Sequence, residues 1–420
     1  MTDDLIIANA KELLTLKGPR RSRAKGEMSD LAVIHDGAVA VSGGVIVAVG
    51  RTDSVLKEHD ATGVERIDAS GKVVMPGFVD PHTHLVYAGS REFELELKAR
   101  GKGYLEILQE GGGILRTMRD TRAATPHELF SQSARRLESM IAHGTTTVEA
   151  KSGYGLDKEV ELRILETARK LGTDFPATIV PTYLGAHAVP PEFEGDPDGY
   201  VEFMVREVIP VVARKKLALF CDVFCEKGVF SVEQSRKVLL AGKEHGLGPK
   251  VHADELHSSG GGELAAEIGA ASADHLAKPS DDGIMAMARK DIVGVLLPGT
   301  PYSSMSKDYA DGRRLIDLGV PIALGTDLNP NCWNESMQFT VSLACHKMRM
   351  TPAESITAST VNAAAALGLD KRVGTIERGK RADIIVLDVD SYSQIPYRFG
   401  TNLCSAVVKD GKVVWEKQPF

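Results

Sequence analysis

Eight short apolar, β-rich runs recur through the middle of this chain, separated by longer segments of which several have helical amphipathic patterning. They are Val73 to Val79, Thr145 to Glu149, Ala177 to Pro181, Ala218 to Phe224, Lys250 to Ala253, Ser272 to His275, Ile292 to Leu297 and Pro321 to Thr326. The amphipathic segments between them include Lys158 to Leu171, Tyr200 to Arg214, Val232 to His245 and Gly312 to Leu318. Such alternation is the pattern of parallel βα units, and eight of them predict an α/β fold, a (β/α)8 TIM barrel.

The two ends of the chain read differently. From Leu5 to about Val74 the sequence is β-rich and broken by turns, with Gly37-Ala-Val-Ala-Val41 and Val45-Ile-Val-Ala-Val49 flanking Ser42-Gly43-Gly44 as a hairpin. Near the other end, Asp383-Ile-Ile-Val-Leu387 is an apolar strand, and the segment from Ser405 to Trp415 is a hairpin closed by Asp410-Gly411. Neither end is large enough to bury much surface alone, so they are expected to pair into one small β-sandwich. The expected organisation is residues 1–75 and 366–420 as the two parts of that sandwich, with residues 76–365 as the barrel.

Barrel active sites lie at the C-terminal ends of the strands, and here those ends are crowded with polar groups. After the first run comes Asp80-Pro81-His82-Thr83-His84; residues two apart on a strand face the same way, so the two imidazoles can reach one ion. Glu149, Lys151 and Tyr154 follow the second run, Tyr183 and His187 the third, His252, Asp254 and Glu255 the fifth, Asp274 and His275 the sixth, and Asp327, Asn329 and Asn331 the eighth. Each of these has an ordinary structural role open to it, such as a buried hydrogen-bonded histidine or a turn carboxylate; their convergence on one barrel mouth is what reads as a site.

Neutral imidazoles and a carboxylate bind zinc or iron well, and His82, His84, His252 and Asp327 supply three nitrogens and one oxygen from strands one, five and eight. An ion there, one transition metal per subunit, would make water nucleophilic near neutral pH and polarise a carbonyl, so hydrolysis is expected. The accompanying proton transfers fall to Glu255, His275 and Asp327, with the order among them open.

Composition narrows the alternatives. With 57 acidic against 50 basic side chains the net charge is -7, which offers no general attraction for nucleic acid or anionic membrane. The basic cluster from Lys17 to Lys25 is expected to be a solvated loop. Five scattered cysteines do not resemble a disulfide framework, and the start lacks a secretory signal, so a cytoplasmic protein is expected. Cys221 and Cys225 are expected as small buried strand residues. The runs Gly111-Gly112-Gly113 and Gly260-Gly261-Gly262 lack the Lys-Ser/Thr ending of a phosphate loop and are expected as tight turns or mobile site backbone.

The segment from Pro76 to His84, together with His252, His275, Gly325-Thr326-Asp327 and Gly379-Lys380-Arg381-Ala382-Asp383, resembles the amidohydrolase superfamily over nearly the whole chain. That resemblance implies a metal-dependent barrel joined to a sandwich of both chain ends. Many superfamily members bridge two metals with a modified lysine of strand four; no lysine lies within Leu219 to Phe224, which implies a mononuclear centre.

A closer resemblance, to the imidazolonepropionase family, is carried by the segment from His84 to Arg91, Gly111 to Leu115, Glu149 to Gly155, Thr182 to His187, Asp222 to Glu226, His252 to Glu255 and Gly325 to Asn331. Those enzymes hydrolyse 4-imidazolone-5-propanoate to N-formimidoyl-L-glutamate in histidine degradation. The resemblance implies that Arg91, Tyr154, His187 and Glu255 contact substrate, that Tyr154, Asn329 and the backbone around Asn331 and Cys332 hold product, and that the enzyme is a homodimer. Asn331 and Cys332 stand where many relatives carry glycine and a small hydroxyl residue. The chemistry agrees with the substrate's acidic arm, since a guanidinium fork suits a carboxylate; Arg91 is the natural partner and Tyr104 a second donor. The competing expectations are a related cyclic-amide hydrolase or nucleobase-type deaminase with the same ligands, and an inactive barrel scaffold.

Overall fold

The computed structural model describes residues 4–59, 63–102, 106–107 and 110–418. Strands β1 (Leu5–Leu14), β2 (Val33–Ser42), β3 (Val45–Arg51), β4 (Glu65–Asp68) and β5 (Val73–Pro76) come first. The barrel strands follow: β6 (Phe78–Asp80), β7 (Thr145–Lys151), β8 (Thr178–Ala186), β9 (Phe220–Cys225), β10 (Gly248–Ala253), β11 (Ser272–His275), β12 (Val293–Leu296) and β13 (Ile322–Leu324). Strands β14 (Ile384–Leu387), β15 (Cys404–Lys409) and β16 (Lys412–Glu416) close the chain.

Strands β6 to β13 are parallel and lie in sequence order in one sheet. The sheet curls until its first and last strands meet at their C-terminal extensions, where Thr83 bridges Leu328 and His84 N–H donates to Leu328 O at 2.8 Å. Beneath this junction the buried Asp80 carboxylate accepts from Thr326 N–H at 3.1 Å and Thr326 Oγ1 at 2.6 Å. A (β/α)8 barrel is the architecture, and helices such as Lys158–Asp174 and Val232–Glu244, capped by Asp157 and Ser231, cover its outside.

The other sheet runs β16-β15-β14-β5-β1-β2-β3, with β4 beside β1, and so interleaves both chain ends. Val39 and Val41 of β2 share an apolar cluster with Ala406 and Val408 of β15, although these strands lie toward opposite ends of the sheet. The sheet therefore folds over its own core, as a sandwich does.

Three expectations are corrected here. The apolar run Val73 to Val79 is two strands in two sheets: β5 pairs with β1 and β14, and β6 pairs with β7. Gly77 marks the change of sheet, because a Cβ there would lie 2.4 Å from the Thr146 side chain. The helix expected from Tyr200 to Arg214 is three pieces, with a π-helical turn at Met204–Val208 ahead of Pro210, which has no N–H to continue an α ladder. The basic loop is not all solvated, since Arg23 is buried, donates to Asp30 O at 3.0 Å and to Leu16 O, and is fixed by Asn362 at its backbone.

Candidate metal centre and active site

His82 and His84 leave the end of β6 on the same side, with ring centroids 5.6 Å apart, while Thr83 turns away and donates to Glu149 O at 2.5 Å. The other imidazoles gather around them: His252 lies 4.5 Å from His82, His275 lies 5.1 Å from His252, and His187 stacks on His84 at 4.8 Å. Asp327 arrives from the loop after β13, with Oδ1 3.5 Å from His82 Nε2 and 3.7 Å from His84 Nε2. Its backbone is left-handed, at φ 51°, as is that of His275 at φ 77°, so local strain is concentrated at this mouth.

These donors form overlapping triads: His82 with His84 and Asp327, His82 with His252 and His275, and His84 with His187 and His252. Nε2 of His82, Nδ1 of His84 and both ring nitrogens of His252 are buried without a hydrogen-bond partner. A buried nitrogen left unpaired is costly, and a metal ion takes the lone pair of one nitrogen on each neutral imidazole. Burial, reinforced by the neighbouring positive groups, holds His82, His84 and His252 far below the usual imidazole range, so they are neutral as metal ligation requires. The residues present fit a transition metal ion.

Supporting contacts orient the rings. His82 Nδ1 is hydrogen-bonded to Asp274 Oδ2 at 2.6 Å, which turns its Nε2 toward the cluster, while His252 Nδ1 lies at ion-pair distance, 3.0 Å, from Asp222 Oδ2 without hydrogen-bond alignment. His187 Nδ1 is 3.0 Å from Gly153 O. Thr300 Oγ1 donates to Asp327 Oδ2 at 2.5 Å, leaving Oδ1 for the imidazole side.

The titratable groups around the cluster are strongly perturbed. Burial, with the nearby Asp327 and Glu226 charges, pushes Glu255 up to about 8, although 22% of its side chain still faces outward. Burial also raises Asp327 to about 6 and lowers His275 to about 4; Glu255 Oε2 and His275 Nδ1 are 3.7 Å apart. A bound cation would draw Asp327 back toward its ionised form.

The Arg91 side chain is only 9% exposed, and its charge is close enough to act on both Tyr154 and His187. Its partner is Glu94, whose carboxylate is buried and accepts from Gly113 N–H at 2.8 Å. The loop after β13 is turned on itself: Asn329 Oδ1 accepts from Asn331 N–H at 2.8 Å and Cys332 N–H at 3.0 Å, and Asn329 Nδ2 donates to Asp327 O at 2.8 Å. The backbone donors expected to hold product are therefore engaged within the loop here. Asn331 Oδ1 accepts from Lys98 at 2.5 Å, and the Cys332 thiol, 3.6 Å from Thr326 O, is buried. Tyr104 lies outside the described residues.

The amidohydrolase family model matches residues 73–414. The chain is 51% identical over 414 residues to the imidazolonepropionase of Geobacillus kaustophilus (strain HTA426), covering 98% of this chain and 97% of that protein. It belongs to the amidohydrolase family, among the imidazolonepropionases. The imidazolonepropionase of Alkaliphilus metalliredigens (strain QYMF) is 47% identical, with 99% of each chain covered. Among solved structures, guanine deaminase of E. coli superposes with a TM-score of 0.76 at 16% identity over 100% of both chains. The 5-methylcytosine deaminase from Klebsiella pneumoniae gives 0.72 at 17% identity, covering 99% of each chain. At such identities these two speak for the fold. The chain is thus a hydrolase whose site could hold a metal ion.

Several residues of the site were not anticipated. Thr300 follows β12, one of the two strand ends given no polar candidate, although a hydroxyl three residues past the Leu297 boundary was a visible signal. Asp222 was quoted only within a longer motif. Asp254, counted among the polar strand-end groups, instead holds the glycine turn, accepting from Gly261 N–H at 3.2 Å and Gly262 N–H at 2.9 Å. Glu161 grips the turn that carries Tyr154, accepting from Gly155 N–H at 2.8 Å and Leu156 N–H at 2.9 Å. Cys221 and Cys225 are buried free thiols in β9, and no metal pair forms from them among the described residues.

Proposed function

We propose that this enzyme hydrolyses the ring C–N bond of 4-imidazolone-5-propanoate to give N-formimidoyl-L-glutamate, a step of histidine degradation. The observation that carries the reading is a buried cluster of neutral imidazoles with a buried guanidinium whose charge reaches its neighbours Tyr154 and His187: ion-binding groups near a cation for an acidic arm. A zinc or iron ion held by His82, His84, His252 and Asp327 supplies Lewis acidity toward a ring carbonyl and makes water a nucleophile near neutral pH.

The chain's own groups do the remaining work. Arg91 binds the propionate, because its planar fork matches a carboxylate and its partner Glu94 holds the fork in place. Tyr154, kept as a phenol by burial, donates to the ring, and His187 presents Nε2 beside it. During the reaction a C–O bond forms at the carbonyl carbon and the ring C–N bond at that carbon breaks. One proton of the water ends on the departing nitrogen and the other is released from the new carboxylic acid. Glu255, with a proton affinity near neutrality and Asp327 and His275 close by, moves the first of these from water to nitrogen. The second carboxylate of the product is the former ring carbonyl.

A cytoplasmic location agrees with five free cysteines and with the finding that no helix among the described residues is long and apolar enough to cross a membrane. A homodimer is carried by family resemblance alone, with a small molecule as the only other partner.

The test is anaerobic incubation of the purified enzyme with 4-imidazolone-5-propanoate while ring absorbance is followed, before and after chelation. Turnover that stops on chelation is expected. A rate indifferent to chelation overturns the metal's role, and an undiminished ring signal overturns the substrate.

A further inference from the structure

Beneath the imidazole cluster lies a second, deeper layer of charge. Lys151, the last residue of β7, is fully buried, with Nζ 2.7 Å from Asp222 Oδ2, 3.1 Å from Glu149 Oε2 and 3.2 Å from Asp274 Oδ2. Lys250 adds a second buried ammonium, 2.8 Å from Glu149 Oε2 and 3.1 Å from Pro81 O. Charge compensation alone would account for such a group, since an unpaired buried carboxylate is strongly destabilising.

The atoms involved say more. Asp274 Oδ2 touches Lys151 and is also the oxygen 2.6 Å from His82 Nδ1; Asp222 Oδ2 touches Lys151 and is also the oxygen 3.0 Å from His252 Nδ1. One ammonium thus stands behind one oxygen on each of two carboxylates, and each oxygen faces an imidazole of the metal cluster. We infer that Lys151 is a positioning residue that fixes the ring orientation of His82 and His252 together, through Asp274 and Asp222, and so sets the affinity and geometry of the metal centre.

Three strands meet in this arrangement: β7 supplies the ammonium, β9 and β11 the carboxylates. Side-chain rotation of either aspartate is blocked by a cation that neither can leave without stranding a buried charge. The rings they hold therefore have one orientation before any ion arrives, which lowers the ordering cost of binding it. The inference rests on the metal reading of the site, and the experiment separates the two.

Zinc binding is measured by competition against a chromophoric chelator in the parent enzyme and in Lys151→Met/Asp222→Asn, which removes one cation and one anion together. The expected result is a loss of about 10–100-fold in zinc affinity and an altered visible spectrum of the cobalt-loaded protein, while the metal-free melting temperature reports folding separately. The control is Lys409→Met/Asp383→Asn, a buried pair 2.5 Å apart that touches no imidazole. It should lose stability and keep its zinc affinity. Lys151→Arg, which retains the charge but displaces the donor, serves if the double variant does not fold, with an expected loss of about tenfold. Unchanged affinity and spectrum in the Lys151 variants, or an equal loss in the control, overturns the inference; a parent enzyme that takes up no zinc overturns the metal reading itself.

Discussion

Arg91 grips the buried carboxylate of Glu94 through two parallel hydrogen bonds, Nε to Oε1 at 2.7 Å and Nη2 to Oε2 at 2.8 Å. That contact uses the Nε–Nη2 edge, and with no partner for Nη1 among the described residues the Nη1–Nη2 edge is the fork left to meet a substrate carboxylate. Replacing Arg91 by lysine keeps the charge and loses the geometry, at about 1.5–3 kcal/mol for a charge-assisted contact, so kcat/KM for 4-imidazolone-5-propanoate should fall about 10- to 100-fold. Most of the loss should appear in KM. Steady-state kinetics of Arg91→Lys and Glu94→Gln check this, and an unaltered KM in both would remove Arg91 from substrate binding.

Stripping the metal should abolish turnover and lower stability together. An ion that binds only the folded chain stabilises it by about 3 kcal/mol at a hundredfold excess over its Kd. Thermal melts of chelated and zinc-reconstituted protein should differ accordingly, with activity restored in the same samples. Equal melting temperatures would contradict a centre built from buried unpaired nitrogens.

Glu161 reaches back from its helix to accept from the backbone of Gly153, Gly155 and Leu156, the turn that carries Tyr154. In Glu161→Gln one side-chain oxygen becomes a donor facing backbone donors, a cost of about 1–3 kcal/mol for a buried group left unpaired. Hydrogen exchange at Gly155 and Leu156 should accelerate and kcat should drop, with metal content unchanged. Exchange rates matching the parent would show that the turn holds itself.

The pH dependence of the metal-free chain should carry the signature of Glu255. Its carboxyl is raised to about 8 when folded and titrates at about 4.3 when unfolded. Between those values the folded state binds a proton that the unfolded state has released, so this contribution to stability is full below the lower value, falls as pH rises, and is gone above the upper one. In Glu255→Gln the amide stays neutral throughout. The melting temperature of Glu255→Gln relative to the parent should therefore climb from pH 5 to 8 and then level. A flat difference would mean that Glu255 is ionised in the folded chain.

The barrel was legible because buried parallel strands are short apolar runs, and each of the eight was visible as one. The same property hid the break at Gly77: β5 and β6 are both buried throughout, so nothing in their residue types tells one sheet from another. His82, His84, His252 and Asp327 were legible as imidazoles and a carboxylate at strand ends. Lys151 was visible as a residue but not as a hub, because its three carboxylate partners come from its own strand and two others. Arg23 misled for a simpler reason: its neighbours are polar, and only the fold shows that Leu16 and Asp30 wrap carbonyls around it.

Every barrel needs a clasp, and in this one the clasp is built from the ligands. His82 O takes the N–H of Asp327 at 3.1 Å, and the N–H of His84 goes to Leu328 O, so three of the four residues joining first strand to last belong to the candidate ligand cluster. Chemistry and closure thus share one seam, and a change at His82, His84 or Asp327 that shifts the backbone acts on both at once. Backbone amide exchange of Asp327 and His84 would then report on the closure of the barrel directly.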